Sequence, residues 1–255
     1  WFVTRRTTRR HYLLRPDADE QVLQLYWYVT AVVAKECGIE LHAVQALSTH
    51  MHEVLTDVRG ELPRFLQRRN RLFAILLKCL HKWPEEVFAR APANCVALYG
   101  PEAVLKEIGY TLANCVEAGL ADTPEKWPGV TVSVDDIGER VMRVARPKAY
   151  FNPENPRWPE VAEIPITMPR VLTTTYGERA KSVLRSAVDA AVRAARKAAR
   201  EAGRVVQSAA QIFGVSHECR ATSPEAFGKR VPSFAAAGNP LAAAQAVHER
   251  RSFLR

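Results

Sequence analysis

Residues 39–57, IELHAVQALSTHMHEVLTD, place two apolar-rich extended runs on either side of a small polar pair, Ser48–Thr49. The second run opens with a His-Met-His triplet. In a strand over residues 49–57, side chains alternate between faces with a period of two. His50 and His52 then project from one face, and Met51 from the other. Two imidazoles on one rigid strand can bind a divalent metal and leave coordination positions for a substrate oxygen. Taken alone, the triplet fits two partly buried histidines with ordinary hydrogen bonds better than a metal site, because short motifs match by chance.

The strands need covers, and periodicity supplies them. Trp1 to Leu14 reads as a strand with an extended continuation that carries Arg5, Arg6, Arg9 and Arg10. This cluster suits either a solvated edge or a phosphate-contacting element. Asp17 reads as an N-cap, with Glu20 three residues on completing a capping-box pattern. Val22, Leu25, Val29 and Val33 follow at helical spacing up to Gly38. A second helix is predicted over 62–82, with Leu62, Phe65, Leu66, Phe73, Leu76, Leu77 and Leu80 on one side. Arg64, Arg68, Arg71, Lys78 and Lys82 share the other side, with Arg69 nearer the flank. No acidic residue lies between Leu62 and Pro84. Solvated faces normally mix signs, so a purely basic one is better explained by an anionic partner, with nucleic acid the leading candidate.

Cys95 to Leu98 is a short strand candidate. A helix from Pro101 to Ala118 follows, with proline at its start and Gly119 past its end. Val104, Leu105, Ile108, Leu112, Cys115 and Val116 form its apolar stripe, while Tyr110 and Asn114, at i and i+4, share the opposite face. That counts against Tyr110 as a routine core aromatic. The order strand, helix, strand, strand, helix, strand, helix is that of an α+β fold, a ferredoxin-like sandwich with an antiparallel sheet.

Two motifs in this order carry a resemblance. A strand Gly38-Ile-Glu-Leu-His-Ala43, a short turn and His50-Met51-His52 come first. Tyr110-Thr-Leu-Ala-Asn114-Cys-Val-Glu-Ala-Gly-Leu120 comes second. Together they resemble the HUH single-tyrosine transposases, most closely the REP-associated tyrosine transposases, whose tyrosine helix runs Tyr-Ile-x-x-Asn-Pro-Val-x-Ala-Gly-Leu. The resemblance covers residues 1–128. Three departures stand out: Leu47-Ser48-Thr49 where the family often has Met-Pro-Asn, Glu53 where it usually has an aliphatic residue, and Cys115 in place of proline.

The resemblance implies metal-dependent cleavage and transfer of single-stranded DNA through a 5′-phosphotyrosine on Tyr110. His50, His52 and Asn114 would bind Mg²⁺ or Mn²⁺, and the DNA would be single-stranded or a hairpin. It also implies a cytoplasmic, nucleoid-associated protein of bacterial type, and leaves a homodimer open. Two alternatives stay open, a non-catalytic DNA-hairpin-binding module derived from such a transposase and a metal phosphodiesterase that uses water. The DNA-binding candidates are Arg5, Arg6, Arg9, Arg10, Arg64, Arg68, Arg71 and Lys78.

The second half of the chain carries no such motif. Residues 129–175 read as a Pro-rich extended connector, and 176–255 as a basic helical C-terminal region with helices over 178–202, 204–213 and 241–253. The net charge of +9 suits a polyanionic partner. Five cysteines without a CxxC pair suit reduced thiols in a cytosolic compartment. No run reaches the length of a membrane span, so no membrane partner is expected.

Overall fold

The computed structural model describes residues 1–223 and 232–253; residues 224–231 and 254–255 of the predicted C-terminal region lie outside the described residues. Strands β1 (Phe2–Arg6), β2 (Ile39–Ala46), β3 (His50–Asp57), β4 (Asn94–Leu98) and the short β7 (Phe234–Ala235) form one sheet in the order β2-β3-β1-β4-β7. All pairs are antiparallel except β4–β7. With helices α1 (Gln21–Cys37) and α2 (Leu62–His81) between the strands, the first four strands make the expected ferredoxin-like order.

The alternation of β3 decides what lies where. Met51, Glu53 and Leu55 point towards α1 and α2: Glu53 bonds Tyr26 of α1 and Arg69 of α2. His50, His52 and Val54 point to the other face, which α3 (Pro101–Glu117) crosses over β2 and β3.

α1 is buried almost all round, from Val22 to Ala34. One side meets the sheet and α2; another meets a hairpin of β5 (Val141–Ala145) and β6 (Val161–Pro165). Tyr28 packs at a tilt against Phe151, which packs likewise against Trp158, and the Tyr28 hydroxyl donates to Pro159 O at 2.8 Å. The aromatic run 26–28 is therefore packing. Pro147, Pro153, Pro156 and Pro159 lie in the connection of this hairpin and Pro165 ends β6, while Ala162, Ile164 and the following Ile166 belong to the main core. The apolar pattern marked only the sheet-facing side of α1, because a hairpin arriving from residue 141 onward leaves no trace in the helix's own period.

Local expectations differ in small ways. Asp17 accepts from the backbone of Gln21 and Val22, at 2.9 Å each, and Asp57 does the same for Glu61 and Leu62 ahead of α2. Glu20 sits at the N-cap in the left-handed region, so it completes no capping box. α4 (Arg170–Tyr176) leads into α5 (Ala180–Glu201); α6 spans only Ala209–Gly214, so 204–208 is not helical, and α7 is Pro240–Phe253. Among the described residues no helix is long and apolar enough to cross a membrane.

α3 is fixed from two sides. Gln45, fully buried on β2, donates to Leu112 O at 3.1 Å and accepts from Cys115 N at 2.7 Å. On another side lies α5, and a Cβ at Gly109 would come within 3.1 Å of the Ala191 Cβ. α5 thus packs along the Gly109 side of α3, the sheet takes Ile108 and Leu112 into the main core, and Tyr110 and Asn114 line a pocket with His50 and His52. At the end of α3 Gly119 takes φ +71°, and Leu120 N returns to Cys115 O at 2.8 Å, closing the helix where the sequence places its stop.

Candidate active site

His50 and His52 come from a central strand, Tyr110 and Asn114 from α3, and all four line one pocket of about 780 Å³. The rings form a packed set. His50 and His52 centroids are 4.8 Å apart, His52 and Tyr110 are 5.2 Å apart, and Phe2 of β1 stacks on His52 at 5.3 Å.

The two histidines are held alike. His52 Nδ1 lies 2.9 Å from Thr4 Oγ1, and His50 Nδ1 lies 2.9 Å from Thr49 Oγ1. Each hydroxyl fixes a ring orientation, the supporting role such partners play at metal-binding histidines. His52 Nε2 is then left buried with no protein partner. Burial, with Arg6 and Arg10 nearby, lowers the His50 pKa to about 4. Burial, with His50 and Arg6, pushes His52 well below its ordinary value. Both imidazoles are therefore neutral at physiological pH, the state in which they ligate. Asn114, 8% exposed, interacts with both His50 and the Tyr110 phenol.

Tyr110 is 40% exposed and lines the pocket. Burial of its ring and the carboxylates of Glu117 and Glu107 raise its pKa, against smaller opposite effects of Arg6 and Asn114. The free protein thus keeps the phenol protonated at neutral pH.

The basic candidates separate by face. Along β1, Thr4 and Arg6 point to the histidines, while Arg5 points to α2 and lies over the Phe88 ring. Arg6 and Arg10 line the pocket; Arg9 is exposed and pairs with Glu85 at 3.5 Å. Arg64, Arg68, Arg71 and Lys78 lie on α2, across the sheet from the histidines, so they form no groove continuous with Tyr110. Nor is the α2 face free of acids in space. Arg64 pairs with Glu61, and Arg68 with Glu36 of α1 at 2.7 Å. Arg71, Lys78 and Arg5 instead border a separate groove of about 1180 Å³ between α2 and residues 86–95. Arg69 is fully buried and held by Glu53 through two bonds of 2.7 and 2.6 Å. Helical angle alone put it at the flank, because its partner sits on a strand.

The far wall of the pocket comes from the C-terminal half: Arg204, Gln207, Ile212, Val215, Cys219 and Arg220 line it. This segment is tied down by Tyr12 N to Cys219 O at 2.9 Å, Arg15 to Phe213 O at 2.7 Å, and His217 stacked on His81 at 4.5 Å. Nothing local marks residues 204–220 as site residues, whereas Thr4 could have been found from strand alternation.

No family model matches the chain, and no curated protein matches it. Among solved structures, one described as the REP-associated tyrosine transposase bound to a REP hairpin is similar, at 19% identity over 53% of this chain and 77% of that one, with a TM-score of 0.41. At so remote a likeness the site stands on its own side chains.

Proposed function

We propose that the protein cleaves and rejoins single-stranded DNA, with Tyr110 as nucleophile and a divalent ion held by His50, His52 and Asn114. The observation that carries this reading is the meeting of an exposed phenol, two neutral imidazoles and an amide in one arginine-rimmed pocket. Among the described residues no three His, Cys, Asp or Glu side chains group to hold a metal. The donor set is instead two imidazole nitrogens and one amide oxygen, and the orphaned His52 Nε2 fits it. Imidazole donors suit Mn²⁺ better than Mg²⁺, which prefers oxygen. When bound, the ion would polarise the scissile phosphate and draw the phenol's pKa down.

The chain's own groups do the rest. Tyr110 Oη attacks phosphorus, the bond from phosphorus to the 3′-oxygen breaks, and the phenolic proton passes overall to that oxygen. The products are a 5′-phosphotyrosine and a free 3′-hydroxyl. Because the phosphodiester is conserved in the adduct, a second 3′-hydroxyl can reverse the step without ATP. Asn114, one helical turn from Tyr110, keeps amide and nucleophile on a single rigid element. Arg6 and Arg10 offset the phosphate charge beside a phenol that burial, Glu117 and Glu107 keep protonated in the free protein.

The test is capture of labelled single-stranded DNA on denaturing gels, with and without Mn²⁺. Wild type should give an SDS-stable, metal-dependent adduct. Tyr110→Phe should bind DNA with about wild-type affinity and give neither adduct nor cleavage. Turnover by Tyr110→Phe would instead point to water as nucleophile, and a wild type that binds but never cleaves would point to a binding module.

A further inference from the structure

α5 has two faces. Leu184, Val188, Ala195 and Ala199 are buried on the α3 side. Arg193, Arg196, Lys197 and Arg200, at i, i+3, i+4 and i+7, form one stripe on the side away from them, around a shallow depression of about 330 Å³. Four residues beyond Arg200, Arg204 lines the Tyr110 pocket, whose rim also carries Arg6, Arg10 and Arg220. Stripe and pocket therefore meet end to end.

The charges in this stripe are poorly answered. Elsewhere Arg68 pairs with Glu36, Arg170 with Glu40 and Arg143 with Glu163. Arg193 and Arg200 make no hydrogen bond or ion pair with any described residue. Lys197 reaches only Glu201, at 3.8 Å, and Arg196 donates to the backbone of Asp122. Like charges one turn apart on a helix repel, and packing on α3 asks for nothing cationic on the outer side.

We propose that this outer face of α5 is a phosphate track for the single strand flanking the scissile position, running from Arg204 to Arg193. It rests on the proposed reaction at Tyr110 and adds the route of the substrate. From Arg193 to Arg200 the helix rises roughly 10 Å, room for a few phosphates, with Arg204 just past the helix end. The track carries no aromatic side chain, so it grips the backbone and reads no base. It also replaces α2 as the main basic approach, since α2 lies across the sheet.

The experiment compares a short oligonucleotide that fills the pocket with ones extended by about ten nucleotides on either side, by fluorescence anisotropy across a salt series. For wild type, extension on one side should tighten binding about tenfold or more at low salt. It should also steepen the log–log salt slope by roughly 0.7 per added phosphate contact. A variant with Arg193→Ala, Arg196→Ala, Lys197→Ala and Arg200→Ala should lose that gain while keeping the wild-type circular dichroism, because alanine is the strongest helix former. A second variant with lysine at the three arginine positions should keep most of it, since the contact is with charge. An extension gain unchanged in the alanine variant overturns the track, and a wild-type adduct in the same samples would leave the Tyr110 reading standing. Loss of the gain without any wild-type adduct would keep the track and remove the reaction. Wild type that binds no oligonucleotide overturns both.

Discussion

Glu53→Leu is the substitution with the largest effect to be expected from this structure. The Glu53 and Arg69 side chains are fully buried, joined by bonds of 2.7 and 2.6 Å, and the Tyr26 hydroxyl donates to the same carboxylate at 2.6 Å. Leucine in place of Glu53 strands a guanidinium that cannot shed its proton, at about 3–5 kcal/mol. The orphaned phenol adds about 1 kcal/mol or more. The sum, roughly 4–6 kcal/mol, is a large share of the ~5–15 kcal/mol that usually holds a domain folded. Arg69→Met should behave differently, because the carboxylate left behind can take up a proton. Holding a carboxyl neutral against a reference near 4.3 costs about 3.7 kcal/mol at pH 7 and about 1 kcal/mol at pH 5. That variant should therefore recover stability as pH falls, whereas Glu53→Leu should not. Removing all three polar groups together (Glu53→Leu, Arg69→Met, Tyr26→Phe) should return stability to within about 1–2 kcal/mol of wild type or above it. Urea unfolding followed by circular dichroism at both pH values reads every arm. A Glu53→Leu cost below about 1 kcal/mol, or equal pH responses of the two single variants, would refute the argument.

Two further outcomes follow from the same packing. His42 is buried between Thr167 O and Thr56 Oγ1, and burial lowers its pKa to about 4. The folded state then binds fewer protons than the unfolded one, so its contribution is complete above about pH 6.5 and is lost as pH falls towards 4. The loss is on the order of 3 kcal/mol, and urea midpoints of His42→Gln should show a correspondingly flatter pH dependence than wild type; identical slopes would place the titration elsewhere. At the α3–α5 contact, Gly109→Val forces branched carbons against Ala191. It should cost roughly 1–3 kcal/mol, with partial recovery on adding Ala191→Gly; a neutral Gly109→Val in thermal unfolding would mean that the helices can separate freely.

The departures from the transposase pattern read differently once the fold is known. Glu53 looks out of place in an apolar strand, yet Arg69 answers it from α2. Cys115 supplies a backbone N–H that proline would lack, and Gln45 accepts it at 2.7 Å. Thr49, in the altered turn, holds His50 through its hydroxyl. Glu53, Cys115 and Thr49 thus each have a partner in the structure.

The sequence by itself determined what is local. Alternation put His50 and His52 on one face, the i, i+4 spacing put Tyr110 beside Asn114, and Pro101 and Gly119 bounded their helix. These follow from backbone geometry over one to four residues, which no distant contact alters. Tertiary structure decided which faces meet. A period of 3.6 shows that α2 has a basic side but not which side of the sheet it occupies, and that assignment removed Arg64 and Arg68 from the neighbourhood of Tyr110. It also brought residues 204–220 to the pocket, buried Arg69 on Glu53 and enclosed α1 with the β5–β6 hairpin. Such pairings join positions from 16 to more than a hundred residues apart, and they are set by burial of apolar surface and by the need of each buried charge for a partner.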